Sequence, residues 1–375
     1  MSEKLLTIRQ KKLRQALQEN RLEAAALNPG PDLAYLTGLD FHLMERPIVA
    51  LFPLDQDPLI ILPELEKAQV QAVDFEITVI SYSEERAAWP SAFRTAFDKL
   101  GLTAGSIGVI PRRLRLLEFE YLRDAGPEVG FRSAQGIFAS LRMIKDASEL
   151  KKMQEAARIA ECALQATLSS IKPGVTEKEI ASRLVSHLLH QGSDPALPFF
   201  PIVSFGSNTA NPHAGPTNRE LHHGELVLID WGASKDGYFS DITRTFAMGD
   251  VEPEFEKLAE FVRRANKAAR KAAQPGIPAQ QIDQAARETI EAAGYGDFFI
   301  HRTGHGLGRE AHEEPYISED DQTKLQPGMT FTIEPGIYLP NRGGVRIEDD
   351  VVITENGLEI LTHLPRELTQ LLLEE

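Results

Sequence analysis

The chain has 375 residues, 42% of them hydrophobic, and a formal net charge of -15 at pH 7. That length exceeds one ordinary core and argues for two domains, while the acidic balance, with no lysine/arginine run to track phosphates, excludes a nucleic-acid partner. A single cysteine, Cys162, excludes an internal disulfide and a cysteine-ligated zinc.

In chain order, residues 1–20 are charged and amphipathic, without the apolar segment of a secretion signal. No later stretch approaches the roughly 18 apolar residues of a membrane span, so a cytoplasmic protein with no membrane partner is expected. Short apolar runs at 23–27, 47–52, 59–62, 76–80, 107–110 and 128–132 read as strands, and 65–73, 87–100 and 114–124 as helices between them. Turns are marked at Asn28-Pro29-Gly30-Pro31 and Thr37-Gly38. The alternation predicts an α/β domain of two or three layers over residues 1–140, without a nucleotide loop or catalytic motif. A connector at 141–150, with Asp146 or Ser148 as N-cap, leads into an amphipathic helix that continues to about Ile171, before Pro173-Gly174. It opens a second domain, 141–375, in which Cys162 reads as a small buried helix residue, His222-His223 as an exposed turn, and the cations of helix 254–273 as a solvated face.

The second domain repeats itself. Pro173-Gly174-Val175, Ile180, Leu188 and Gly192 recur 102 residues later as Pro275-Gly276-Ile277, Ile282, Ile290 and Gly294. Phe199-Phe200, His213 and Pro216 recur 99 later as Phe298-Phe299, His312 and Pro315, and Gly224, Asp230 and Gly232 recur 104 later as Gly328, Glu334 and Gly336. Three blocks in one order predict a duplicated helix-helix-strands unit.

Duplication gives the acids a geometry. Asp230 ends the apolar run Leu226-Val227-Leu228-Ile229, Glu334 ends Met329-Thr330-Phe331-Thr332-Ile333, and Asp241 and Glu348 follow past glycine-containing turns. Halves related by a pseudo-two-fold axis would bring these four carboxylates together with His305, whose counterpart in the first half is Gly206. Buried carboxylates need compensation, and two divalent cations balance four negative charges. Oxygen-rich ligation with one imidazole suits manganese, cobalt, iron or zinc. A pair of ions that activates water and polarises an acyl or phosphoryl oxygen points to hydrolysis. His213 and His312 are then candidates to hydrogen-bond a tetrahedral intermediate or protonate a leaving amine. His301, four residues before His305, is expected on the same side of a strand, and Arg346, two before Glu348, could orient a ligand carboxylate or bind substrate. Alternation sends Asp349 to the opposite face from Glu348.

The runs Leu228-Ile229-Asp230-Trp231-Gly232-Ala233, Ser240-Asp241-Ile242-Thr243-Arg244-Thr245, His301-Arg302-Thr303-Gly304-His305-Gly306-Leu307-Gly308, Thr332-Ile333-Glu334-Pro335-Gly336-Ile337-Tyr338 and Val345-Arg346-Ile347-Glu348-Asp349 together resemble the dinuclear-metal signature of the pita-bread metallopeptidases. With His301 and Arg346 the set is most similar to the Xaa-Pro branch, prolidase and aminopeptidase P, and residues 1–140, with Tyr35-Leu36-Thr37-Gly38, resemble the creatinase/prolidase N-terminal domain. The resemblance implies an N-terminal α/β domain followed by a pseudo-two-fold pita-bread catalytic domain. It implies two divalent ions, manganese expected with cobalt, zinc or iron as alternatives, held by Asp230, Asp241, His305, Glu334 and Glu348. Glu334 would accept the proton of the nucleophilic water, His213 would contact the scissile amide or leaving nitrogen, and His312 would stabilise the gem-diolate. His301 and Arg346 would shape the pocket for small peptides with proline second, and a homodimer is expected. A metal-free creatinase-like amidinohydrolase and a non-catalytic pita-bread binding protein characteristically break the ligand set, which is intact here. A metal-dependent lyase on the same scaffold, and the division between dipeptidase and aminopeptidase, stay open at this level.

Overall fold

Strands buried on both faces read as continuous apolar runs, and the interior strands of the N-terminal sheet are of this kind. The computed structural model describes residues 3–71, 73 and 75–371, and two units separate, Met1–Arg142 and Met143–Glu375. The first contains helices α1 (Glu3–Glu19), α2 (Pro31–Thr37), α3 (Lys67–Val70), α4 (Trp89–Leu100) and α5 (Leu116–Ala125), with α6 (Gln135–Met143) at its end. Its strands β1 (Ala24–Leu27), β2 (Val49–Pro53), β3 (Leu59–Pro63), β4 (Thr78–Tyr82), β5 (Ser106–Val109) and β6 (Gly130–Ser133) form one mixed sheet in the order β4-β3-β2-β1-β5-β6. Alternate side chains feed two cores. Ala25, Leu27, Ala50, Phe52, Ile60 and Leu62 pack with Leu13 and Leu17 of α1 and Leu33 of α2, whereas Ala24, Ala26, Val49, Leu51, Leu59 and Ile61 pack with Phe93 and Phe97 of α4 and Leu122 of α5. The unit is therefore three-layered.

Three elements depart from the sequence reading. In place of a helix over 65–73 there is a 3-10 turn, Glu64–Glu66, and the single turn α3; Leu65 is exposed, so no continuous apolar stripe supports a longer helix. Ala72, within that expected helix, lies outside the described residues. The two early turns are the ends of one helix: Pro31 opens α2, and Gly38, at φ 75°, closes it.

The second unit begins with α7 (Ala147–Leu168), which stops short of Ile171 and is capped by Asp146 in a reciprocal capping box with Glu149. Helices α8 (Glu177–His190), α9 (Pro253–Ala272) and α10 (Gln280–Ala292) complete two pairs. The strands are β7 (Ile202–Phe205), β8 (Glu225–Trp231), β9 (Ser234–Lys235), β10 (Tyr238–Phe239), β11 (Ile242–Met248), β12 (Gly304–Gly306), β13 (Glu313–Ile317), β14 (Thr330–Ile333), β15 (Gly336–Leu339), β16 (Gly343–Arg346), β17 (Asp349–Thr354), β18 (Gly357–Ile360) and β19 (Thr369–Gln370). Sheet β19-β11-β8-β7 faces the pair α7/α8, and sheet β13-β12-β14-β17-β18 faces α9/α10, with β9/β10 and β15/β16 as matching two-stranded ribbons. Cys162 is half-buried on α7. The expected solvated face of α9 is only partly so: Arg270 is half-buried and donates to Asn266 Oδ1, 2.7 Å away, because Asn266 faces the interior.

Strand alternation decides where the acids point. In β8, Val227, Ile229 and Trp231 enter the α7/α8 core, which sends Asp230 to the other face. In β14, Phe331 and Ile333 enter the α9/α10 core and Glu334 follows on the other face. Ile242 of β11 and Val351 of β17 likewise pack on their helices, leaving Asp241 and Glu348, each one residue before its strand, on the inner side. Chains this close need glycine: a Cβ on Gly304 would lie 1.9 Å from Thr332 O.

Candidate metal centre and its cavity

The inner faces enclose a cavity of about 610 Å3. All nine site residues singled out in the sequence line it: His213, Asp230, Asp241, His301, His305, His312, Glu334, Arg346 and Glu348, with Phe199, Phe200, Ile202, Pro212 and Ala311 as apolar wall. Ligand-type atoms of Asp241, His305 and Glu348 all fall within 4.8 Å of one another. His305 Nε2 lies 3.7 Å from Asp241 Oδ2 and 3.4 Å from Glu334 Oε1. Asp230 is not one of the three clustered residues; Arg346 Nη2 donates to its Oδ2 at 2.7 Å, and among the described residues its buried Oδ1 has no hydrogen-bond partner.

Three of the four cavity imidazoles have a defined tautomer. His305 Nδ1 approaches the Gly306 carbonyl at 3.2 Å, and a carbonyl only accepts, so the proton sits on Nδ1 and the Nε2 lone pair faces the acids. His301 Nδ1 donates to Arg302 O at 2.7 Å, and its Nε2 accepts from Tyr338 Oη at 2.9 Å, which in turn accepts from Arg346 Nη1 at 2.9 Å. Burial, reinforced by Arg346, pushes His301 down to about 4, so it is a neutral wall. It lies before β12 and not on a strand, contrary to expectation, because Gly304–Gly306 is the only paired stretch there. His312 is held below its usual range by burial and Arg302; Arg302 Nη2 approaches its Nδ1 at 3.4 Å, which leaves its proton on Nε2. His213, exposed at the cavity, sits in the loop after β7.

The halves fasten each other at this site. Thr243 Oγ1 donates to Glu348 Oε2 at 2.6 Å, Glu348 N donates to Thr243 O at 3.1 Å, and Asp241 N donates to Asp350 Oδ2 at 3.0 Å. Arg346 Nε donates to Thr243 Oγ1 at 3.0 Å. Asp349 points away from the cavity, into Arg244 and Arg366. Tyr338 and Thr243 were not singled out from sequence. Thr243 shares a strand face with Asp241, so alternation carried a signal for it; Tyr338 reads as an ordinary apolar strand residue.

This donor set fits divalent cations. Four carboxylates share one directly bonded arginine, one acid carries an orphaned oxygen, and an imidazole lone pair faces inward. Burial and mutual repulsion push Asp241 and Glu348 well above the usual carboxylate range and raise Asp230 against Arg346; Glu334 rises, through burial, from 4.5 to about 7. A carboxyl raised in the folded state contributes stability that is complete below its ordinary pKa and is lost as pH rises through the folded value. Chelator-treated protein should therefore melt at a lower temperature at pH 8 than at pH 5.5, and restored divalent metal should reverse the loss at pH 8. Equal melting of the chelated protein at both pH values would contradict this electrostatic picture.

Comparison with known proteins follows the same division. Residues 151–355 match the model of metallopeptidase family M24, and residues 9–144 match that of the creatinase/prolidase N-terminal domain. A Xaa-Pro dipeptidase of Lactobacillus helveticus is 36% identical over 358 residues, 95% of this chain and 97% of the relative. A dipeptidase from Pyrococcus horikoshii OT3 superposes with a TM-score of 0.91 at 38% identity, covering 96% of this chain and 99% of that one. A prolidase from Thermococcus sibiricus gives 0.92 at 34% identity, with 99% of each chain covered.

Proposed function

This chain belongs to metallopeptidase family M24, and from that membership and the chemistry of its cavity we propose that it is a metal-dependent Xaa-Pro dipeptidase. The observation that carries the reading is the convergence of four carboxylates and one inward-facing imidazole on a single cavity with an apolar wall. The names of the relatives, dipeptidase and prolidase, favour dipeptides over longer chains.

In this proposal Asp230, Asp241, His305, Glu334 and Glu348 hold two divalent ions, manganese by preference. Such ions acidify water and polarise the scissile carbonyl. Glu334 takes the proton of the attacking water and passes it towards the leaving nitrogen. His312, neutral with its proton on Nε2, donates to the developing oxyanion, and His213 contacts the scissile amide. Both nitrogens of His301 are already bonded, so it shapes the pocket, and Arg346 orients Asp230. Phe199, Phe200, Ile202 and Pro212 offer the apolar surface that a proline ring needs. A homodimer and a cytoplasmic location belong to the same proposal; sedimentation checks the first.

The test is hydrolysis by manganese-reconstituted protein of Ala-Pro, Ala-Pro-Ala and longer Xaa-Pro peptides. Dipeptide cleavage at the highest kcat/KM is expected. Preference for the longer peptides would turn the assignment to aminopeptidase, and no cleavage with any divalent metal would sink it.

A further inference from the structure

The strand-to-strand loop that carries His213 is fastened by a carboxylate outside the cavity. Glu177 is the first residue of α8 and is fully buried. Its Oε1 accepts from Phe205 N at 2.8 Å and Asn208 Nδ2 at 2.9 Å, and its Oε2 accepts from Thr217 N at 2.8 Å and Thr217 Oγ1 at 2.6 Å. These partners bracket the whole segment 205–217, within which Pro212 and His213 line the cavity. Two further bonds seat the segment on the second half: Gly344 N donates to Thr209 Oγ1 at 2.8 Å, and Arg346 Nη1 to Pro212 O at 3.4 Å.

Among the described residues no lysine or arginine forms an ion pair with Glu177. Its charge is held by four N–H and O–H donors and by the N-terminal end of the helix. Only an ionised carboxylate accepts all four; glutamine would turn an NH2 group against donors already in place. The second half contains a comparable clasp. Asp283 of α10 is buried and its Oδ1 accepts from Thr303 N at 3.0 Å and Thr303 Oγ1 at 2.7 Å, between His301 and His305. In each half, then, the second helix supplies a buried carboxylate that grips one threonine beside cavity histidines. Thr217 follows its strand and Thr303 precedes its own, so the two clasps arise from different positions of the repeat.

We propose that Glu177 is a positioning residue that fixes segment 205–217 and thereby holds His213 against the reacting peptide, a role that rests on the Xaa-Pro peptidase reading. The test combines kinetics on Ala-Pro with hydrogen exchange of segment 205–217, on the metal-loaded full chain. Glu177→Gln is expected to lower kcat/KM by roughly 10- to 100-fold, mainly through kcat, and Thr217→Val, which removes one hydroxyl, by about 10-fold. Both should accelerate exchange in 205–217. In a His213→Ala background each should lose most of its effect, since the group it positions is gone. Fold-changes that multiply with that of His213→Ala, or exchange that stays at the wild-type rate, would overturn the proposal. If Glu177→Gln does not fold, Thr217→Val alone decides. Absence of hydrolysis by the wild type would sink the peptidase reading, and unchanged exchange would separately sink the fastening by Glu177.

Discussion

Asp241→Asn is expected to reduce kcat/KM on Ala-Pro by about 1,000-fold or more and to leave the protein short of its full metal content. The same substitution should raise the melting temperature of chelated protein at pH 8 above that of chelated wild type. Both effects have one cause. Asp241 is buried, and burial together with Glu348, Asp230, Asp350 and Glu334 pushes its carboxyl far above the ordinary range. Without a cation, neutral asparagine of the same shape relieves that repulsion; with one, it removes a charge the ion requires. Its backbone N–H, bonded to Asp350, is untouched. Metal analysis, steady-state kinetics and thermal melting on one preparation check the three outcomes. A variant that retained full metal and full turnover would remove Asp241 from the ligand set.

Asp349→Ala should cost about 3–5 kcal/mol of stability, measured by denaturant unfolding, because it strands a buried charge. Asp349 Oδ1 accepts from Arg244 Nη2 at 2.8 Å, Arg366 Nη2 at 2.9 Å and Thr362 Oγ1 at 3.1 Å; its Oδ2 accepts from Arg366 Nε at 2.7 Å and Asn266 Nδ2 at 3.1 Å. Burial alone would raise this carboxyl, yet Arg244 and Arg366 hold it below 3.8. A depressed carboxyl contributes stability that is complete above its ordinary pKa and disappears as pH falls through the folded value. The loss caused by Asp349→Ala should thus be full at pH 7 and shrink below about pH 4. A loss under 1 kcal/mol at pH 7 would show that water reaches Arg244 in its place.

What the sequence displayed depended on whether periodicity and chemistry coincided. Strands β1, β2, β3 and β5 were visible because both faces are buried and each is a largely apolar run, whereas the edge strands β4 and β6 are partly exposed. The nine cavity residues were visible because a charge or imidazole beside such a run is conspicuous, and because the repeat paired most of them. Glu177 and Asp283 were invisible for the opposite reason: an acid in the first turn of an amphipathic helix is ordinary, and only the fold shows it turned inward onto a threonine. Tyr338 was hidden within the apolar alternation of β15, although its hydroxyl joins Arg346 to His301. Helix α2 was mistaken for two turns because its boundaries, Pro31 and Gly38, are stronger signals than its seven residues.

The reciprocal fastening of Thr243 to Glu348 and of Asp241 to Asp350 has a bearing on the order of assembly. Each half presents its own acids, but the partners that fix them come from sequence more than 100 residues away, so a nascent chain that has completed only the first half holds Asp230 and Asp241 without those partners. The residues proposed as ligands come together only when the last strands dock. On the proposed metal assignment, capture of an ion would be a late event that registers completion of the catalytic unit, and an ion met earlier would find too few of its ligands in place to be retained.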